Sequence, residues 1–386
     1  MTANISVPNP ESTLKQPVFD GNTPFSEYIR RTQAMILAKR KTLHHLSHDE
    51  QQRILAANSP FELYPPQPIQ QNGRLKYGVL LIHGLLDSPF SMRDIAEQLQ
   101  AKGILCRAVL LPGHGTQPED LLHVSHQDWT ATVRYGIASL QQEVEQVYLI
   151  GYSTGAALSI QEALIDKNIN GIIVIAPAVK LKAPVNLVVA WHKLMKRYNK
   201  KHEWLYQTKE ENDVKYSSIC FNAIAQVKHL IKKVRKLRKK HSLHCPMLMV
   251  TSQDDETISS QSAVTFFSRC KDPRHRLLLY TTQESVYTDN RIVIRPSQHP
   301  ELHIENLSHI GITFSPSNAY YGQQGAYPHA SLLANKGCVY GAYNQIQIDW
   351  YSLLWKCRLL RDKKQELTYN PDFEFMVEMV GGFITG

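Results

Sequence analysis

Apolar and polar positions divide the chain into short strands and amphipathic helices that take turns. From Lys76, "YGVLLIHG" is a brief apolar run ending in glycine, the pattern of a strand buried on both faces. Ser88 and Pro89 then open a predicted helix with Met92, Ile95, Ala96 and Leu99 on one face and Gly103 just beyond its end. "ILCRAVLLPGHG" predicts the next strand, running into a Gly/Pro loop. A helix beginning near Asp128 follows, with Trp129, Val133, Ile137, Leu140 and Val144 at helical spacing. "VYLIGYS" reads as strand, "TGAALSIQEAL" as helix and "GIIVIAPA" as strand again. This alternation implies an α/β fold, a mostly parallel sheet with helices on both faces.

Beyond Ala178 the rhythm stops until "PMLMV" at 246, and the lysine-rich stretch between reads as a mainly helical insertion. Strand 246–251, helix 259–269, strand "RLLLY", an extra strand "RIVIR" and the strand-like alternation "ELHIENLSH" follow. The tail from 310 is long, rich in Tyr, Gly and Asn, and ends in a predicted helix near "DFEFMVEMVGGFI". At the other end, Thr23 offers an N-cap and Pro24 a first helical position, while Pro65, Pro66 and Pro68 mark a stiff linker. The expected organisation is an N-terminal helical arm and Pro-rich linker over 1–70, a core over 71–178 and 246–386 with a long C-terminal extension, and a helical basic insertion over 179–245.

Composition changes this picture little. Of 386 residues, 43% are hydrophobic and 20% charged, as in a soluble globular protein with a sizeable core. No window approaches the ~20 apolar residues of a membrane span. The polar start "MTANISVPNPESTLK" lacks the apolar core of a secretory signal. The six cysteines (Cys106, Cys220, Cys245, Cys270, Cys338, Cys357) form no CxxC pair, which argues against a zinc site or disulfide framework and for reduced thiols in a cytoplasm.

Chemistry enters at Gly151-Tyr152-Ser153-Thr154-Gly155, a G-x-S-x-G between a strand and a helix. The turn is so tight that a side chain at either glycine would meet neighbouring backbone, and it lifts the serine Oγ clear at the sheet's C-terminal edge. A helix N-terminus at this point also sets backbone N–H groups beside the atom the serine would attack.

A serine hydroxyl needs a base, and in this arrangement the partners follow in the order serine, acid, histidine. His309, after "ELHIENLS" and before "IGIT", fits the base better than His303 or His299. Asp254 and Asp255 both follow the strand at 246. Asp255 is favoured, because Ser252 at the turn position places it three residues on, with Ile258 packing back after another three. In "LLIHGLLDS", the backbone after His83-Gly84 can turn inward, so Leu85 N–H would join Thr154 N–H as an oxyanion hole. His83, ahead of the serine, reads as a shaper of this loop.

Taken in order, "LLIHGLLDSPFSM", "LPGHGTQPEDLLHVSHQDW", "LIGYSTGAAL", "PMLMVTSQDDETIS" and "LSHIG" resemble the α/β-hydrolase superfamily, nearest to bacterial carboxylesterases and the monoacylglycerol lipase group. The resemblance spans 76–178 and 246–312. It implies the α/β-hydrolase fold, Ser153 as nucleophile, Asp255 as acid, His309 as base, Leu85 and Thr154 as oxyanion amides, 179–245 as a cap over an acyl pocket, and no metal or organic cofactor. The chain departs from the family's pattern in Thr154, in the separation of 54 positions from Asp255 to His309, and in the 77 residues after His309.

The net charge of +9 belongs to one segment. Residues 228–241, "KHLIKKVRKLRKKH", hold eight of the 43 Lys and Arg and no acid, leaving 35 basic against 34 acidic residues elsewhere. Val227, Leu230, Ile231, Val234 and Leu237 form one apolar stripe there, so the bland reading is a helix packed on the core with a solvated basic face. A sharper reading is peripheral docking to an anionic membrane. Nucleic acid is not expected, since no aromatic interleaving or reading motif accompanies the charge. The expected function is a cytoplasmic serine hydrolase of small to medium acyl esters or monoacylglycerols. The rivals are a peptidase or amidase, for which no acidic cluster to anchor an amino terminus is recognisable, and a non-catalytic binding protein of the same fold.

Overall fold

The computed structural model describes residues 19–181, 203–283, 287–327, 339–341 and 364–386. Among these, nine strands form the central sheet: β1 (Phe61–Leu63), β2 (Gln70–Gln71), β3 (Arg74–Ile82), β4 (Leu105–Val109), β5 (Val144–Tyr152), β6 (Ile169–Ile175), β9 (Met247–Ser252), β10 (Arg276–Thr281) and β11 (Ile292–Pro296). Two short strands between them, β7 (Trp204–Tyr206) and β8 (Ile219–Cys220), pair with each other, as do β12 (Val339–Gly341) and β13 (Lys364–Glu366). The main order is β1-β4-β3-β5-β6-β9-β10-β11, parallel throughout except for β1 on β4. Continuous apolar runs make such strands because both faces must be covered, and Val79, Leu80, Leu81 and Ile82 are all fully buried.

The helices are α1 (Phe25–Lys39), α2 (His48–Asn58), α3 (Arg93–Ala101), α4 (His126–Gln141), α5 (Thr154–Ala163), α6 (Phe221–Arg238), α7 (Ser260–Ser268) and α8 (Phe373–Thr385). Register aligns the strand exits along one edge: Ile82 pairs with Gly151, Tyr152 with Ile175, Ile175 with Val250, and Ser252 with Tyr280. That edge carries the candidate chemistry. No described helix is long and apolar enough to cross a membrane.

Several expectations are corrected. Thr23 does not cap α1: Pro24 takes that position, and the Thr23 hydroxyl donates to Asp20. A 3₁₀ turn, Pro89–Met92, stands between Ser88 and α3. α4 starts two residues before Asp128, because Ser125 and Asp128 form a capping box. "ELHIENLS" is not a strand: Pro300–Leu302 is a 3₁₀ turn and His303 has φ +57°, which extended pairing excludes. In the insertion expected to be mainly helical, the described part holds the β7–β8 pair, the loop joining them and α6, while 182–202 lies outside the described residues.

The segment read as an arm is knitted into the core from Phe19 onward. β1 is an edge strand, Phe25 and Tyr28 are buried in the main core, and the Tyr28 hydroxyl accepts the Leu110 N–H at 3.0 Å. Arg107 on β4 clamps this region: its guanidinium reaches Glu62 on β1, the Ser139 carbonyl and Glu143, and lies over the Phe25 ring. At the other end α8 covers the sheet, with Met376, Val377, Val380 and Ile384 buried. Cys106, Cys220, Cys245 and Cys270 are free thiols; Cys338 and Cys357 lie outside the described residues.

Candidate active site

Ser153 sits at the hinge between β5 and α5 with φ +54° and ψ −107°, a region that residues with a Cβ seldom occupy. Its surroundings hold it there. Ser153 N–H donates to the Ile175 carbonyl at 2.9 Å, and its own carbonyl accepts Ala178 N–H at 3.1 Å. Both flanking glycines are required by space: a Cβ on Gly151 would lie 2.3 Å from the Gly155 carbonyl oxygen, and one on Gly155 would lie 2.0 Å from that of Ile82.

Three distant residues meet here. His309 Nε2 is 3.1 Å from Ser153 Oγ, and His309 Nδ1 is 2.6 Å from Asp255 Oδ2. The other Asp255 oxygen accepts Thr257 N–H and Ile258 N–H, both at 2.8 Å, which fixes the carboxylate. With Nδ1–H given to Asp255, Nε2 is left free to accept the serine proton. Burial is the largest influence on the imidazole and disfavours its charged form. The Asp255 charge and hydrogen bond, helped by Glu256, outweigh it and hold His309 above its ordinary value.

The alternatives point elsewhere. Asp254 accepts the Ser297 hydroxyl at 2.9 Å, toward β11. His303 is exposed, and His299 lies beside Glu301. A single residue step out of β9 separates the two aspartates, and it is enough to send their carboxylates apart.

The turn after β3 is shaped by two buried histidines. His83 donates through Nδ1 to the Gly84 carbonyl at 2.8 Å and accepts Leu111 N–H at Nε2, at 3.0 Å. His114 Nε2 accepts Leu86 N–H at 3.1 Å, where Leu86 has φ +66°. Burial lowers both rings, His83 well below its ordinary value and His114 to about 4, so both stay neutral and can accept these bonds. A Cβ on Gly84 would lie 3.3 Å from the Ser153 Cβ, so this backbone passes directly by the serine. Among the described residues no acceptor takes the Leu85 or the Thr154 N–H.

Sequence reasoning missed five ionisable groups at this edge. Glu256 accepts His309 N–H at 3.1 Å, while Tyr152 O–H donates to the His309 carbonyl at 3.1 Å, so His309 is held by its backbone on both sides. Asp87 is buried and pushed up to about 6 by that burial; Glu366, on β13, is pushed up to about 7 for the same reason. Lys215 places its charge close enough to act on Asp87, Glu366 and His309. Its loop is tied over the 84–86 turn by Tyr216 N–H on the Leu86 carbonyl at 2.7 Å. Two signals were visible: Glu256 adjoins Asp255, and Asp87 lies within "LLIHGLLDS"; Lys215 and Glu366 come from segments with no readable motif.

Among the described residues no group of three or more His, Cys, Asp and Glu could hold a metal ion. The basic segment packs as an amphipathic helix: Val227, Leu230, Ile231 and Val234 of α6 are buried against α4 and α5. Its start, at Cys220 and Ala223, clusters with Leu85 and Leu86 near Ser153, so its cation-rich end lies at the far side of the sheet.

A family model described as Hydrolase_4, serine aminopeptidase, S33, matches residues 73–283, more than half of the chain. The chain is similar to a thermostable monoacylglycerol lipase of Bacillus sp. (strain H-257), 28% identical over 218 residues that make up 56% of this chain and 82% of the relative. It is also similar to a carboxylesterase of Bacillus subtilis (strain 168), 25% identical over 58% of this chain and 89% of that protein. A solved structure from the metagenome-derived lipolytic enzymes LipS and LipT matches with a TM-score of 0.49 and 21% identity, over 58% of this chain and 87% of that one.

Proposed function

The chain belongs to the Hydrolase_4 family (serine aminopeptidase, S33) and has the α/β-hydrolase fold; from that premise we propose that it hydrolyses carboxylic esters through an acyl-enzyme. The observation that carries the reading is the unbroken hydrogen-bonded line from Asp255 through His309 to Ser153, at 2.6 and 3.1 Å. Ser153 Oγ attacks the ester carbonyl while His309 Nε2 takes its proton. Leu85 and Thr154 N–H receive the oxyanion, and Asp255 steadies the imidazolium. His309 then gives the proton to the leaving alcohol, and water, activated by the same nitrogen, releases the acid and restores Ser153. The similarity to a monoacylglycerol lipase and a carboxylesterase favours carboxylic esters such as monoacylglycerols, with the loop carrying Lys215 and Tyr216 as part of a cap.

Intact-mass analysis after exposure to a chain-length series of p-nitrophenyl esters tests this. The expected result is one acyl adduct that Ser153→Ala abolishes, together with labelling by a fluorophosphonate. Turnover that survives Ser153→Ala overturns the proposal, and lack of any labelling favours a binding protein of the same fold. One observation supports a second reading, an amidase or aminopeptidase. Glu256 and Glu366 lie close enough to His309 to act on its charge, and such acids suit a substrate amino group. Aminoacyl amides cleaved faster than esters would favour it.

A further inference from the structure

At the end of the sheet opposite Ser153, the loops leading into β9 and β10 line a cavity of about 600 Å³ that is open to solvent. Arg238, Lys239 and Lys240 reach it from the end of α6, and Arg269 and Lys271 from the end of α7. We propose that this cavity binds a multiply charged, phosphate-bearing anion, held by Lys239, Lys240, Arg269 and Lys271 together with the buried His275 of the same lining. The site is separate from the esterase chemistry and does not depend on it.

Charge bookkeeping supports an anion. Lys239, Lys240, Arg269 and Lys271 make no ion pair or hydrogen bond to another side chain among the described residues. The one acid lining the cavity, Asp272, is taken by Arg274 at 2.7 Å. Three helices, α5, α6 and α7, end here, and each C-terminus contributes about half a negative charge. Those ends offset fewer than two of the five cations, so a like-charged surplus remains gathered from separate segments, at a cost that a bound anion removes.

A buried histidine also belongs to the lining. His275 is 2% exposed, and its Nδ1 accepts Met247 N–H at 3.0 Å, which leaves the proton on Nε2 of a ring that lines the cavity. Burial disfavours the charged ring, so it is a neutral donor in the same lining as the cations. A flat lipid surface suits the geometry less well, because docking this end would turn Ser153 away from the bilayer.

Titration calorimetry of the full chain with sodium tripolyphosphate tests the site, at low salt and at about 0.15 M. The wild type is expected to bind saturably at one site. Lys239→Glu/Lys240→Glu should weaken binding at least about tenfold while leaving ester turnover unchanged. Arg269→Gln gives an independent reading from the second loop, with a smaller loss, should the double variant not fold. No saturable binding, or equal affinity in wild type and variants, overturns the proposal. So does flotation with phosphatidylglycerol vesicles without tripolyphosphate binding, which would assign the charge to a membrane surface instead.

Discussion

The Glu256 carboxylate accepts the backbone N–H of His309 at 3.1 Å, one residue after the aspartate that holds the same histidine's ring. Two consecutive acids thus grip one residue at two points. Asp255 fixes the imidazole, and Glu256 fixes the main chain that carries it. Glu256→Ala should let the loop drift and lower kcat/KM by ten- to a hundred-fold, about what a 1 Å misplacement costs. Glu256→Gln keeps an acceptor oxygen and should retain most activity at alkaline pH.

The same pair sets a pH dependence. In the proposed mechanism His309 serves as base only when neutral, and its titration lies above the ordinary histidine value because Asp255 and Glu256 outweigh burial. The acid limb of kcat/KM should therefore lie above about 6.5, activity falling as pH drops through it. Removing a negative charge destabilises the imidazolium, so Glu256→Gln should move that limb to lower pH. A pH–rate profile decides it; an unmoved limb would show that Glu256 acts through its hydrogen bond alone.

Ser153 stores strain, with φ +54° on a residue that carries a Cβ. Such a conformation costs about 1–3 kcal/mol, whereas glycine adopts it freely and gives back roughly 0.5–1 kcal/mol in chain entropy. Ser153→Gly should abolish turnover yet unfold about 1 kcal/mol later than the wild type in a urea titration. A variant less stable than the parent would contradict the strain reading.

Two glycines should respond in opposite ways. Gly155→Ala drives a Cβ to 2.0 Å from the Ile82 carbonyl oxygen, forcing α5 off β3 at a cost above about 3 kcal/mol and misplacing Ser153. Gly382, inside α8, has nothing within 4 Å of an added Cβ, so Gly382→Ala should stabilise by about 0.5–1 kcal/mol. Melting curves of the two variants, measured side by side, check both signs.

Arg107 ties the N-terminal segment to the sheet. Its side chain is 3% exposed, while Glu62 and Glu143 are 30% and 46% exposed, so removing it strands carboxylates that water can still reach. Arg107→Ala should cost about 2–3 kcal/mol, less than the 3–5 kcal/mol of a fully buried pair. Lysine should rescue little, because one ammonium cannot span Glu62, Glu143 and the Ser139 carbonyl together.

The sequence alone determined what depends on local pattern. Buried strands such as 79–82 and amphipathic helices such as α3 and α6 are written in periodicity. The turn at Ser153 is written in two glycines, because backbone crowding there is a local matter. It failed where local pattern and long-range contact disagree: "ELHIENLS" alternates like a strand, yet a proline turn and a left-handed His303 break it. It also failed to show that β1 would join the sheet, since three residues carry too little pattern to name a partner 45 positions away.

Only the tertiary structure decided which groups meet. Asp254 and Asp255 are indistinguishable by type and differ by one step along the chain, and the path out of β9 turns one toward Ser297 and the other toward His309. The grip of Glu256, the charge of Lys215 and the five cations around His275 likewise arise from segments remote in the chain. Spacing along a sequence fixes direction over one or two turns of backbone. Electrostatic and hydrogen-bonded contact acts over a few ångströms of space, and folding alone sets which residues share it.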